Sequence, residues 1–256
     1  MTTTLRVLRF TLPLLAGLIS GVGLAKPSGA GHAQILAVDS SPVAREWVAS
    51  LPGSQLYRSK DDPKSLGWSI DAEALTVSRV RWTAAGIEIV RTWNFTTMVG
   101  EDREDGIDRS IDPVLYPVGV DRLAMALLTK ESTGYAGGGA SWTWASFYEL
   151  RDLLAPDEVG EGRLEPLYKA VPFSCGKGIR ACFTEQDYRR SKNCQERWGG
   201  TLRLRIADAD RGGTMAWTAT WEELHVPGGR TKAGMKVKRT AIDLSNPPAT
   251  QCTEPI

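Results

Sequence analysis

Histidine is nearly missing from this chain: only His32 and His225 occur in 256 residues. A metal centre built from several histidines is therefore excluded, and a Ser-His-Asp triad would have to use His225. The four cysteines, Cys175, Cys182, Cys194 and Cys252, form no C-x-x-C pair, so the spacing of a zinc site is absent as well. No G-x-S-x-G elbow, P-loop or dinucleotide fingerprint occurs, and no cofactor is implied. Beyond the N-terminal segment, no apolar run approaches the ~20 residues that span a bilayer.

That N-terminal segment says where the rest of the chain works. Arg6 and Arg9 precede an uncharged apolar run over residues 10–24, with small residues at Gly23, Ala25, Gly31 and Ala33. This is the layout of a secretory signal peptide over residues 1–33, cleaved after Ala33 to leave Gln34, or after Ala25. The run is short for a permanent anchor, and Pro13 interrupts it. No Cys stands at the cleavage positions for lipid attachment, and the two arginines are not adjacent as in a twin-arginine signal. The expected location is the periplasm or the extracellular space, with no transmembrane segment in the mature chain.

With 42% hydrophobic and 24% charged residues, the composition is that of a globular protein. The net charge of +1 conceals a gradient. Residues 101–160 carry twelve acidic and five basic side chains, whereas residues 163–256 carry ten acidic and sixteen basic. A basic surface suits an anionic glycan, a lipid head group or an envelope protein as partner. Nucleic acid is a poor fit for an exported chain.

Ser41 followed by Pro42 reads as a helix N-cap with Pro at the first helical position, and Pro52-Gly53 ends that helix. Residues 75–95 then change to a β-pattern with a turn at Ala84-Ala85-Gly86. Two hairpin registers compete: one pairs Thr83 with Ile87 and sets Arg79 opposite Arg91, the other sets Arg81 opposite Glu88. The acidic segment 101–112 offers Asp105, Asp108 and Asp112 as cation ligands, but Arg103 and Asp108 break the EF-hand spacing, and no metal is expected. Residues 121–131 consist of strong helix formers and read as a helix. Ser146 and Glu149 have the spacing of a capping box for another, closed by Pro156. The polar stretch 157–165 divides an N-terminal subregion, residues 34–160, from a C-terminal one, residues 161–256.

In the C-terminal subregion Thr184 and Asp187 form a short capping box for a helix running to Trp198, where Gly199-Gly200 stops it. Alternating strands follow over residues 201–206, 215–221 and 236–244. The fold expected is α+β: a hairpin-built antiparallel sheet with three or four short helices and a disulfide-stapled C-terminal region. An even cysteine count in an exported chain implies two disulfides. A helix between Cys182 and Cys194 would hold them ~18 Å apart, against the ~7 Å a bridge allows. This leaves 175–182 with 194–252, or 175–194 with 182–252.

Nine tryptophans are the one compositional sign of binding, because indole faces stack on sugars and cations. Trp142 and Trp144, with Arg203 and Arg205, are the candidate ligand residues. His225 with Glu222 or Glu223, at a strand end before a Gly-rich loop, is the candidate acid–base group. The leading expectation is a non-catalytic, envelope-associated binding protein. A hydrolase using His225 is the alternative, and a structural or assembly subunit a third.

Overall fold

Apolar side chains recur at every second position through much of the chain, and those segments pair into two sheets that are antiparallel except at one short edge. The computed structural model describes residues 32–51, 53–60, 65–99, 107–152, 159–191, 194–209, 213–228 and 235–247. The expected signal peptide, apart from its last residues, lies outside these, as do Asp105 and Cys252.

The smaller sheet is built from β2 (Ala37–Val38), β3 (Ser54–Arg58), β4 (Leu66–Asp71), β5 (Thr76–Thr83) and β6 (Gly86–Asn94), with β11 (Gly160–Glu161) parallel to β6. Helix α1 (Pro42–Ser50) connects β2 to β3, and the Ser41 hydroxyl accepts from the Ala44 N–H at 3.2 Å, as the cap signal requires. The larger sheet runs β1 (Gln34–Ile35), β8 (Val114–Gly119), β9 (Arg122–Tyr135), β10 (Gly138–Arg151), β12 (Arg163–Arg180), β13 (Gln195–Asp208), β14 (Met215–Val226), β15 (Lys236–Ile242). Strand β7 (Ile107–Ile111) also pairs with β9. Strand β10 pairs with β12 across residue 160, so segments on both sides of that position share one sheet.

One core lies between the sheets, where Trp68, Trp93 and Phe95 meet Leu115, Met125 and Tyr148. A second holds Tyr116, Phe147, Val171, Leu202, Ile206 and Trp221, with Trp217 packed against them. The Trp217 indole donates to the Pro117 carbonyl at 2.9 Å, and Gly119 bridges Thr214. The large sheet therefore curls until β8 meets the start of β14.

Several expectations are corrected here. The fold is predominantly β, not α+β with three or four helices: among the described residues only α1 and α2 (Glu185–Arg190) are α-helical. Residues 122–131 lie in strand β9 despite their helix-forming composition. Met125 and Leu127 enter the inter-sheet core while Ala124 and Ala126 enter the other. A strand buried on both faces needs a continuous apolar run, and tertiary packing outweighs a propensity of a few tenths of a kcal/mol per residue. Ser146 and Glu149 lie in β10 rather than at a helix start. The Ser146 hydroxyl accepts from the Ala170 N–H at 3.2 Å, and the buried Glu149 carboxylate accepts from Arg122.

The capping box at Thr184 and Asp187 is present, but its helix stops at Arg190 rather than Trp198. The chain thereby returns within a few residues, and Cys182 and Cys194 form a disulfide with Cα atoms 4.9 Å apart. The pairing excluded from the long-helix expectation is thus the one present, and both connectivities left open by that expectation are overturned. Cys175 is disulfide-bonded as well.

The hairpin of β5 and β6 reconciles the two registers. Thr83 pairs with Gly86, Trp82 with Ile87 and Arg81 with Glu88; a bulge then sets Arg79 opposite Arg91. The arginines do not face each other as bare charges. Arg79 lies 4.4 Å over the Trp68 ring, and buried Arg91 pairs with Asp152.

Gly199-Gly200, which reads in sequence as a helix stop, lies within β13. A Cβ on Gly200 would stand 2.1 Å from the Trp221 ring and 2.7 Å from the Cys175 Sγ. Gly200→Ala is expected to lower the unfolding free energy by about 2 kcal/mol through overpacking, read as a shifted midpoint in urea at unchanged slope.

Candidate functional site

Four strands bring Lys177, Trp198, His225 and Lys236 into one row across β12 to β15, each side chain directly opposite the next. The row two residues along each strand contains Trp142, Cys175, Gly200, Glu223 and Lys238. Positions two apart share a face, so both rows project from the same side of the sheet. Gly200 leaves a gap between Cys175 and Glu223 that the Trp221 ring, on the same face, fills.

The Trp198 and His225 rings stand parallel, 5.0 Å apart at an interplanar angle of 6°. The Lys177 ammonium lies 5.7 Å from the Trp198 ring centre, within reach of the negative ring face. His225 Nε2 is 2.7 Å from Glu196 Oε1, which fixes the orientation of the imidazole. Glu223 Oε1 accepts from the Trp221 indole at 3.2 Å. Around these groups lies a cleft of about 530 Å³, lined by Trp198, Glu223, His225, Lys236 and Lys238. Two ammonium groups, one carboxylate and a pair of stacked rings thus share one concave surface, with Lys177 set against the Trp198 ring and Glu196 against His225 beside it. Inter-strand spacing puts Lys177 and Lys236 about 14 Å apart.

Of the residues singled out from sequence, Glu223 and His225 line the cleft, and Trp142 lies in the same ladder as Glu223. Trp144 packs edge-on against Trp142, ring centres 6.2 Å apart, and both are half-buried. Arg203 and Arg205 are exposed at alternate positions of β13 and project from the opposite face. Glu222 is on that face too, 2.8 Å from Arg239 and 3.8 Å from Arg203. The Arg239 guanidinium holds the Glu222 carboxyl below the usual carboxylate range. The carboxylate in contact with His225 is therefore Glu196, not Glu222.

Asp108 is exposed on β7, whereas Asp112 is half-buried with its Oδ2 accepting from the Tyr116 hydroxyl at 2.6 Å. Burial pushes the Asp112 carboxyl up, and the tyrosine bond opposes that shift. No group of three or more His, Cys, Asp or Glu side chains close enough to share a metal ion occurs among the described residues.

Glu196 and Trp198 escape sequence reasoning because residues 184–198 read as one helix, and nothing in the residues around Lys177 marks it out. The signal available was the alternation of Glu196 and Trp198 with Arg197, continuous with the strand that follows. The same two-residue period places Lys236 and Lys238 on one face of β15. No protein-family model, curated protein or solved structure matches the chain.

Proposed function

We propose that this is an exported, envelope-associated binding protein whose cleft around Trp198 and His225 takes an acidic oligosaccharide. The observation that carries this reading is the ladder Lys177–Trp198–His225–Lys236, a cation at each end of two stacked rings. Ammonium groups hold carboxylate or sulfate substituents, the half-buried rings supply apolar contact, and Glu223 accepts from hydroxyls. The row runs across the strands, which suits an extended chain rather than a single compact anion. Export is supported by the signal-like layout of residues 1–33, the Cys182–Cys194 disulfide and the fact that no described helix is long and apolar enough to cross a membrane.

Calorimetric titration with an oligogalacturonate and with a neutral glucan oligosaccharide of equal length tests the reading. Heat is expected from the acidic chain alone, with an affinity that falls as salt is raised. Equal affinity for the neutral chain, or no binding of either, would overturn it. The contact between His225 and Glu196 also gives the hydrolase reading a defined form, with Glu196 orienting the imidazole as a base. Shortening of the oligogalacturonate during the titration, stopped by His225→Ala, would favour that reading over simple binding.

A further inference from the structure

One end of the large sheet carries exposed apolar side chains that neither core nor cleft uses. The register gathers there the turn after Tyr135, the end of β12 at Arg180, the start of β13 at Gln195, and Val226 beside Arg197. Beyond Arg180, the disulfide Cys182–Cys194 closes a loop that holds α2. Phe183 in this loop is 73% exposed and Tyr188 50%, and Met235, entering β15, is 65% exposed. The Arg180 guanidinium lies 5.9 Å from the Phe183 ring centre and 5.7 Å from that of Tyr188. An arginine thus stands among two solvent-facing rings on a covalently closed loop.

The charges at this end are unequally used. Glu185 pairs with Arg189, Asp187 caps α2, and Glu196 contacts His225. Three guanidinium groups have neutral acceptors instead: Arg180 donates to the Cys182 carbonyl, Arg190 to the Gln186 amide oxygen and Arg197 to the Gln195 amide oxygen. Among the described residues no carboxylate forms an ion pair with any of the three, although Arg190 lies close enough to Asp187 to help lower its carboxyl. Separate apolar points ringed by arginine are what a head-group layer accommodates, since rings and thioethers enter the acyl boundary while guanidinium groups meet phosphates.

We propose that this end of the sheet docks on a bilayer surface bearing anionic lipid, with Phe183, Tyr188 and Met235 entering the head-group region and Arg180, Arg190 and Arg197 engaging phosphates. Docking here and saccharide binding in the cleft are separable by experiment. The purified protein is sedimented with vesicles of phosphatidylcholine alone and of phosphatidylcholine mixed with phosphatidylglycerol. Binding is expected to the mixed vesicles only. Phe183→Ser should lower the partition coefficient about tenfold, and Met235→Ser, on a different segment, should lower it too. Arg190→Glu should reduce the preference for anionic vesicles. All three variants should keep the wild-type thermal transition and oligogalacturonate titration, so loss of the fold or failure of the cleft reading would be seen separately. Equal binding to both vesicle types, or serine variants that bind as tightly as wild type, would overturn the proposal. Wild-type protein that ignores both vesicles would also overturn it and leave the surface to a protein partner.

Discussion

Glu149→Ala is expected to lower the unfolding free energy by about 3 kcal/mol, read from a urea titration. The Glu149 side chain is 2% exposed and accepts from Arg122 Nε at 2.7 Å and Nη2 at 2.9 Å, with Arg151 Nε at 3.1 Å. Removing the carboxylate strips a bidentate partner from Arg122 and sets Arg122 and Arg151 against each other across adjacent strands. Both arginines are more than a third exposed and can rehydrate, which keeps the loss at the lower end of what breaking a buried pair costs. The Arg122 guanidinium holds the Glu149 carboxyl below its ordinary range. This contribution is therefore complete above the unfolded-state value and lost as pH falls through the lower, folded one. Glu149→Gln should flatten the acid limb of a stability–pH curve. Asp112, with its carboxyl pushed up, acts in the opposite sense: its contribution is present at low pH and lost as pH rises through the folded value.

Reversing both lysines on β15, as Lys236→Glu with Lys238→Glu, should weaken oligogalacturonate binding about thirtyfold, from about 1 kcal/mol at each position. Each lysine lines the cleft from an exposed edge strand, where a side chain changes charge without disturbing a core. The unfolding midpoint should accordingly stay within the scatter of a surface change, about 0.5 kcal/mol. A charge reversal that leaves the titration unchanged would place the ligand elsewhere. The lysine at the other end of the ladder, Lys177, should give a smaller loss when changed to alanine, because its ammonium is also held by the Trp198 ring.

What was legible in the sequence was local. The caps at Ser41 and Thr184 are single-turn devices whose partners lie within a few residues, and both are present. The pairing of β13, β14 and β15 follows from alternation that packing on one face reinforces. Residues 122–131 and 146–151 read as helix in the sequence for a shared reason. Leu, Met and Ala favour helix in isolation, and nothing local reveals that two cores will press on a strand from opposite sides. The Ser146 and Glu149 spacing imitates a cap because three residues separate a hydroxyl and a carboxylate that the sheet uses independently. One overlong helix then hid both the Cys182–Cys194 bridge and the strand bearing Glu196 and Trp198. His225 stands out in the sequence as one of only two histidines, but its partner 29 residues away does not.

The measurement bearing most directly on the cleft is an indole N–H resonance titration. The Trp198 signal would be assigned by its loss in Trp198→Phe and followed as oligogalacturonate is added. A saturable shift of Trp198 is expected, with the core residues Trp68 and Trp93 unmoved, and its midpoint should move to about thirtyfold higher ligand concentration in the Lys236→Glu, Lys238→Glu variant. A Trp198 signal that stays fixed at saturating ligand, or one whose midpoint is unchanged in the charge-reversed variant, would contradict the assignment of this cleft as the binding site.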